Sequence, residues 1–177
     1  PGLGDRAVGE LVVSAGRNVV LVVDDEPNVA EVFALWLEDE YDIKVATSGE
    51  EALEALDEAL DAILLDRRMP GLSGDEVLEE LRSRGFEVPV AIVTAVDPDF
   101  DILEMPFDDY LTKPVEKDEL IGTIERLLTL ADYDDRSQDH FALAKKLATL
   151  EAEKTEEELK DNDEYQRLLA QLRELRE

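Results

Sequence analysis

The feature that most narrows the fold is a repeated alternation, from Asn18 onward, between short apolar runs and longer stretches with helical spacing. Val19-Val20-Leu21-Val22-Val23 is continuous and mostly β-branched, as expected of a strand buried on both faces of a parallel sheet. The pattern predicts further strands at Asp42–Ala46, Ala62–Leu65, Val88–Thr94 and Tyr110–Lys113. Pro27 suits the first turn of a helix, and Val29, Val32, Phe33, Trp36 and Leu37 recur on its apolar face. Ser48 and Glu51 read as a capping box opening a helix with Leu53, Leu56 and Leu60, and Ser73 and Glu76 as another heading Val77, Leu78 and Leu81. A short helix is expected at Asp99–Glu104, and a final one carries Leu120, Ile121, Ile124, Leu127 and Leu128. Five β-α units joined this closely imply a doubly wound, five-stranded parallel sheet, an α/β fold.

Beyond Ala131 the texture changes. Asp132–Asp135 is acidic, and Gln138–Lys160 has only helix formers, with Leu143, Leu147 and Leu150 in a stripe. Asp161-Asn162-Asp163 breaks that run before Tyr165, Leu168, Leu172 and Leu175 form a second stripe. Two helices with a short polar break predict an antiparallel C-terminal α-helical hairpin. Each stripe covers about two heptads, too little to be stable alone in water. The hairpin therefore needs the sheet domain or a second copy of itself as partner. The expected organisation is a flexible leader over 1–17, an α/β domain over 18–131 and a helical interaction domain over 132–177.

Charge limits the partners. Asp and Glu number 46 against 18 Lys and Arg, a formal net charge of −28, so the chain repels nucleic acid and anionic membranes at ordinary salt. The clear periodicity and 44% apolar content exclude a disordered acidic polymer. The composition instead suits concentrated salt, where screening shortens to a few Å and self-repulsion collapses. Cysteine is absent, which removes disulfides and thiolate metal sites. No apolar run approaches the roughly 20 residues of a membrane span. Pro1–Arg17 lacks the apolar core of a signal peptide, so a cytoplasmic location is expected.

In a doubly wound sheet, ligands collect outside the carboxyl ends of the strands. The strand ends would bring Asp24 and Asp25, then Asp66, Thr94 and Lys113, to that edge. Crowded carboxylates raise one another's pKa unless a cation intervenes. A hard divalent cation with oxygen ligands answers this, and Mg²⁺ favours one or two carboxylates with phosphate oxygens and water.

Asp24-Asp25, Asp66 with Met69-Pro70-Gly71, Thr94-Ala95 and Tyr110-Leu111-Thr112-Lys113-Pro114, in that order, resemble the receiver domain of two-component response regulators, which is flavodoxin-like. The resemblance implies that Asp66 is the phospho-acceptor, taking a phosphoryl group from a sensor histidine kinase. It makes Asp25 and Asp66 direct Mg²⁺ ligands, Asp24 a ligand through water, and the backbone carbonyl of Arg68 the last protein ligand. Lys113 would pair with one phosphoryl oxygen and Thr94 would donate to another, with Tyr110 the aromatic switch that turns inward. Such a protein is no enzyme beyond assisting its own phosphorylation and dephosphorylation. The stretch from Thr94 to Lys113 is short, and Met105-Pro106-Phe107 stands where the family usually has Gly-Ala, so the fourth helix is expected to be curtailed. Phe141-Ala142-Leu143-Ala144-Lys145-Lys146 through Leu150-Glu151-Ala152-Glu153-Lys154 resembles the HalX helical domain that follows receivers in salt-loving archaea.

Blander readings compete with these. Asp24-Asp25 would suit a solvated turn, Thr94 a plain strand position and Tyr110 a plain core aromatic. Registration of Asp24, Asp66 and Lys113 on one edge argues against chance. His140 reads as a helix-start residue and Trp36 as core. Haloacid-dehalogenase-type phosphohydrolases also use Asp, Mg²⁺, Thr and Lys, but their nucleophile stands two residues before a second Asp on one strand. The C-terminal helices are acidic, which disfavours direct DNA contact without excluding it. A homodimer through those helices and an output through protein interaction or transcription are the remaining expectations.

Overall fold

The computed structural model describes residues 16–175, so most of the leader, including the apolar Leu11–Val13 patch, lies outside the described residues. Elements follow in the order β1 (Val19–Val23), α1 (Pro27–Leu37), β2 (Asp42–Ala46), α2 (Gly49–Glu54), β3 (Ala62–Leu65), α3 (Gly74–Ser83), β4 (Val90–Thr94), a 3₁₀ helix (Phe100–Glu104), β5 (Asp109–Thr112) and α4 (Lys117–Leu130). Three C-terminal helices complete the chain, α5 (Asp135–Glu153), α6 (Glu156–Asp161) and α7 (Asp163–Leu175). All strand pairs are parallel, in the order β2-β1-β3-β4-β5. This is the doubly wound fold that the alternation predicts.

The period-2 geometry of the strands divides the core in two. Val20, Val22, Ala62, Leu64, Ala91 and Val93 meet Ala30, Phe33 and Leu37 of α1 and Leu120, Ile124 and Leu127 of α4. The alternate residues, Leu21, Val23, Ile63, Leu65, Val90 and Ile92, meet Ala52 of α2, Val77, Leu78 and Leu81 of α3, and Ile102 and Leu103 of the 3₁₀ helix. Each such Val, Leu, Ile or Phe side chain withdrawn from water stabilises the fold by about 1.5–3 kcal/mol before entropy is counted.

Several boundaries differ from the sequence reading. Pro89 has no N–H for the sheet, and β4 starts at Val90, two residues late. Leu56 and Leu60 lie beyond the end of α2. Ser48 caps that helix by accepting from the Glu51 N–H, but the Glu51 carboxylate takes the Thr47 N–H at 2.8 Å instead of closing the box on Ser48. The box at Ser73 and Glu76 is complete. Val32 is exposed rather than part of the buried face of α1, and Trp36 is half-buried against Phe33.

The C-terminal segment is helical as expected, but the first of its two expected helices is split, so that three helices stand there. Lys154 leaves the helical conformation, and Thr155 with Glu158 forms a new capping box that starts α6. Asn162 then ends α6 and accepts from the Tyr165 N–H, which starts α7. Leu147, Leu150, Tyr165 and Leu172 enter the same core cluster as Ile102, Leu103, Phe107 and Tyr110. Leu147, Leu150 and Leu172 of the stripes are thus covered by the α/β domain itself, through the 3₁₀ helix and β5, and Leu143 and Leu168 pack partly buried against the same cluster. Burial pushes the Tyr165 hydroxyl up to about 12, aided by its 2.6 Å bond to Glu151.

Because Leu147 is buried at this junction, Leu147→Ala is expected to destabilise the whole described fold by about 2–5 kcal/mol. Chemical denaturation in molar KCl checks this. A variant in which the strands keep their stability while only the C-terminal helices melt would show that the two parts do not share one core.

Candidate functional site

Parallel register brings the first strand ends together. Val23 pairs with Ala46 and with Leu65, so Asp24 and Asp66 leave β1 and β3 side by side. The Asp66 N–H donates to Val23 and the Asp24 N–H to Ala46. On the other side, Thr94 pairs with Thr112, and the Lys113 N–H donates to the Thr94 carbonyl at 2.7 Å. The Lys113–Pro114 peptide that follows is cis.

At this edge the Lys113 ammonium bridges two buried carboxylates, 2.6 Å from Asp24 Oδ2 and 3.0 Å from Asp66 Oδ2. Asp24 also accepts the Glu26 N–H at 2.9 Å. Asp25 is half-buried and completes a cluster with Asp24 and Asp66, in which one carboxylate oxygen of each lies within 4.8 Å of the others. Burial pushes the Asp24 carboxyl up, further than its bonds to Lys113 and the Glu26 N–H pull it down. Burial also pulls the Lys113 ammonium down, but the two carboxylates outweigh it and hold that group above the ordinary lysine range. The edge thus carries three carboxylates against one cation. This donor set, all oxygen and excess negative, fits a hard divalent ion.

Thr94 is buried, and its hydroxyl oxygen accepts the Val96 N–H at 3.3 Å. Among the described residues its own proton reaches no protein acceptor. Arg68 is exposed on the loop after Asp66. Tyr110 is already inward, with its ring 5.6 Å from that of Phe107 and its hydroxyl donating to the Val96 carbonyl at 2.7 Å. The expected inward turn is therefore a conformation that the fold itself holds.

Two residues escaped the sequence reading. Arg67 is 3% exposed and meets Asp75 through two bonds at 3.0 and 2.9 Å, Asp101 at 2.7 Å and the Tyr110 hydroxyl at 3.4 Å. The bonds to Asp75, against burial and joined by those to Asp101 and Tyr110, raise its pKa. Strand parity was the available signal, since Ile63 and Leu65 face α3 and Arg67 continues that side. Asp109 is fully buried in β5 and pairs with Arg126 and Lys145, each at 3.3 Å. No local motif marks Asp109, because Lys145 reaches it from α5.

Comparison with known proteins finds two family matches along the chain. The response regulator receiver domain matches residues 20–125, and the HalX domain matches residues 129–177. A Haloferax volcanii protein, named provisionally as a transcriptional regulator, is 47% identical over 144 residues, covering 81% of this chain and 25% of the relative. The sensory transduction protein RegX3 of Mycobacterium bovis is 42% identical over 121 residues, covering 66% of this chain and 53% of the relative. The chain thus spans a quarter to about half of these relatives. Among solved structures, the receiver domain of the Francisella response regulator 1452 has a TM-score of 0.60 and 33% identity, covering 66% of this chain and 100% of that one. The response regulator TrrA of Thermotoga maritima, solved in complex with Mg²⁺ and BeF, has a TM-score of 0.56 and 36% identity, covering 63% and 99%.

Gly74 makes the close approach of α3 to the site feasible. A Cβ there would stand 1.8 Å from the Asp66 carbonyl oxygen, a backbone atom that cannot move without its side chain. Gly74→Ala is expected to displace Asp66 and cost about 1–3 kcal/mol or more, as overpacking does. Thermal melts and divalent-ion titration check it. Unchanged stability and ion affinity would mean that the Asp66 backbone has room to yield.

Proposed function

The chain belongs to the response regulator receiver family, with a HalX domain behind the receiver, and we propose that it signals by accepting a phosphoryl group on Asp66. The observation that carries this reading is the Lys113 ammonium held against both Asp66 and Asp24 beside Asp25, an arrangement suited to a doubly charged phosphoryl group. An Asp66 carboxylate oxygen attacks phosphorus while the bond from phosphorus to a histidine nitrogen of a sensor kinase breaks. The leaving imidazole keeps the electron pair and takes a proton from solvent. From an acyl phosphate, the leaving group is a carboxylate and no proton is needed.

A Mg²⁺ ion held by Asp25 and Asp66, by Asp24 through water and by the backbone carbonyl of Arg68 would neutralise charge on the transferring oxygens. Lys113 pairs with one phosphoryl oxygen. The Thr94 hydroxyl donates to another while still accepting the Val96 N–H. Tyr110 is the aromatic switch residue. In this reading the protein acts on no other substrate, and assists only its own phosphorylation and dephosphorylation. Residues 18–131 form the receiver and 132–177 the output segment, following the leader over 1–17.

Output through protein interaction or transcriptional control follows, in a cytoplasmic setting shared with the kinase. Among the described residues no helix is long and apolar enough to cross a membrane. Direct DNA contact by the C-terminal helices is a second reading, favoured by the name of the Haloferax relative and opposed by the acidity of α5, α6 and α7. Homodimerisation would need a surface other than Leu147, Leu150 and Leu172, which the receiver already covers.

An acyl phosphate with Mg²⁺ is expected to add one phosphoryl group to the chain, read by intact mass, and Asp66→Ala to abolish it. Labelling of that variant at the normal rate would sink the assignment. For the metal, Asp25→Ala should weaken Mg²⁺ binding roughly a hundredfold and Asp24→Ala roughly tenfold, the smaller loss being typical of groups acting through a neighbour. Isothermal titration separates them, and the reverse order would exchange their roles.

A further inference from the structure

Lysine is scarce in this chain, yet three consecutive contacts from α5 and its C-cap use it. Lys145 pairs with buried Asp109 at 3.3 Å, one residue before Tyr110. Lys146 stands over the Phe107 ring at 5.2 Å, and that ring packs on Tyr110. Lys154 pairs with Asp99 at 2.9 Å and stands over the Phe100 ring at 5.2 Å. All three meet the segment that links Thr94 to Lys113, the two residues assigned to the phosphoryl oxygens. Leu147 and Leu150 bury against the same segment.

That segment is tied back to the acceptor strand. Asp99 caps the 3₁₀ helix, and Asp101 within it bonds Arg67, the residue after Asp66. Arg67 in turn bonds the Tyr110 hydroxyl, which donates to the Val96 carbonyl. The Val96 N–H donates to Thr94. In this arrangement Thr94 keeps its proton available, so a phosphoryl oxygen can be met without breaking any of these bonds. Lys146 and Lys154 hold the outer side of the segment, and Arg67 holds the inner side.

We propose that the C-terminal helices are a positioning element of the phosphoryl site: docked through Lys146 and Lys154, they hold Tyr110 and the Val96–Asp101 segment in the phosphoryl-accepting arrangement. Docking and phosphorylation therefore favour one another, and the coupling is reciprocal because it is a free energy shared between two sites. The inference rests on Asp66 being the acceptor. Arg67 is the side chain through which the two sites communicate.

Beryllofluoride with Mg²⁺, a non-transferring phosphoryl mimic, tests this on the full chain in molar KCl. The double variant Lys146→Gln/Lys154→Gln should bind it about tenfold more weakly, since each contact is of the partly exposed ion-pair or cation–π class. Lys117→Gln/Lys160→Gln removes the same charge from residues outside this contact and should bind normally. With Arg67→Gln in the background, the loss from Lys146→Gln/Lys154→Gln should shrink toward none, since coupled residues are not additive. Reciprocally, the mimic should slow amide exchange of α5 and α7 in the unaltered chain. A double variant whose α5 and α7 exchange faster while its mimic affinity is unchanged overturns the inference, because docking is then merely structural. Equal losses with and without Arg67→Gln remove Arg67 as the link. An unaltered chain that takes up neither mimic nor phosphoryl group removes the Asp66 reading and the inference together.

Discussion

The structure depends on how one face of the sheet is kept from water. Leu21, Ile63, Leu65 and Ile92 need cover from above, and α2 and α3 supply it only over the first strands. Over β4 and β5 the connection from Thr94 to Lys113 holds no α-helix, and a single 3₁₀ helix, Phe100–Glu104, stands there. Ile102, Leu103 and Phe107 fold down from that connection, and Leu147, Leu150 and Leu172 complete the layer from α5 and α7. The C-terminal helices are thus part of the receiver's own packing. Their stripes, too short to persist in water, gain stability from the sheet, as burial rather than propensity stabilises most helices.

The same junction sets the state of Tyr110. An aromatic ring at the edge strand needs an apolar layer outside it before an inward position is favourable, and Phe107 under Lys146 provides that layer. Its hydroxyl then needs partners, found in the Val96 carbonyl and the Arg67 guanidinium. In a chain of net charge −28, the ion pairs around this junction join carboxylates and cations from different elements. Arg67 meets Asp75 and Asp101, Lys113 meets Asp24 and Asp66, and Arg126 and Lys145 share Asp109. Concentrated salt screens the exposed members of such groups and leaves the buried ones almost untouched. The buried pairs therefore hold the site's geometry under the ionic conditions that the composition suits.

Much of this was legible in the sequence because the carrying signals are local. A β-branched run followed by Asp24-Asp25, or Leu65 followed by Asp66, fixes both the strand and which edge its terminal residue reaches. Asp24, Asp66 and Lys113 meet because parallel strands deliver every carboxyl end to one side, whatever the register of the helices. What failed was of two kinds. Some local chemistry was overlooked: Thr155 with Glu158 carries a capping box as readable as that of Ser73 with Glu76, and it splits the first of the two expected C-terminal helices. Other features had no local signal, since Asp109 becomes a buried ion-pair centre only when α4 and α5 bring Arg126 and Lys145 to it from further along the chain.

Arg67 lies between these kinds and marks what a site analysis from sequence omits. Its neighbour Asp66 draws attention as the candidate nucleophile, while Arg67 reads as a turn residue. Yet an arginine that extends a buried strand on its α3 side must either leave the protein or be fully paired, since an unpaired buried charge costs several kcal/mol. Here it is paired, by carboxylates on α3 and on the 3₁₀ helix, both of which stay largely in contact with water. One backbone step from the acceptor, the chain thus spans from the site to the segment on which its C-terminal helices rest. The burial of Arg67 and the docking of α5 and α7 therefore meet on one segment, the Thr94–Lys113 connection, whose Asp101 pairs with Arg67 and whose Asp99 pairs with Lys154.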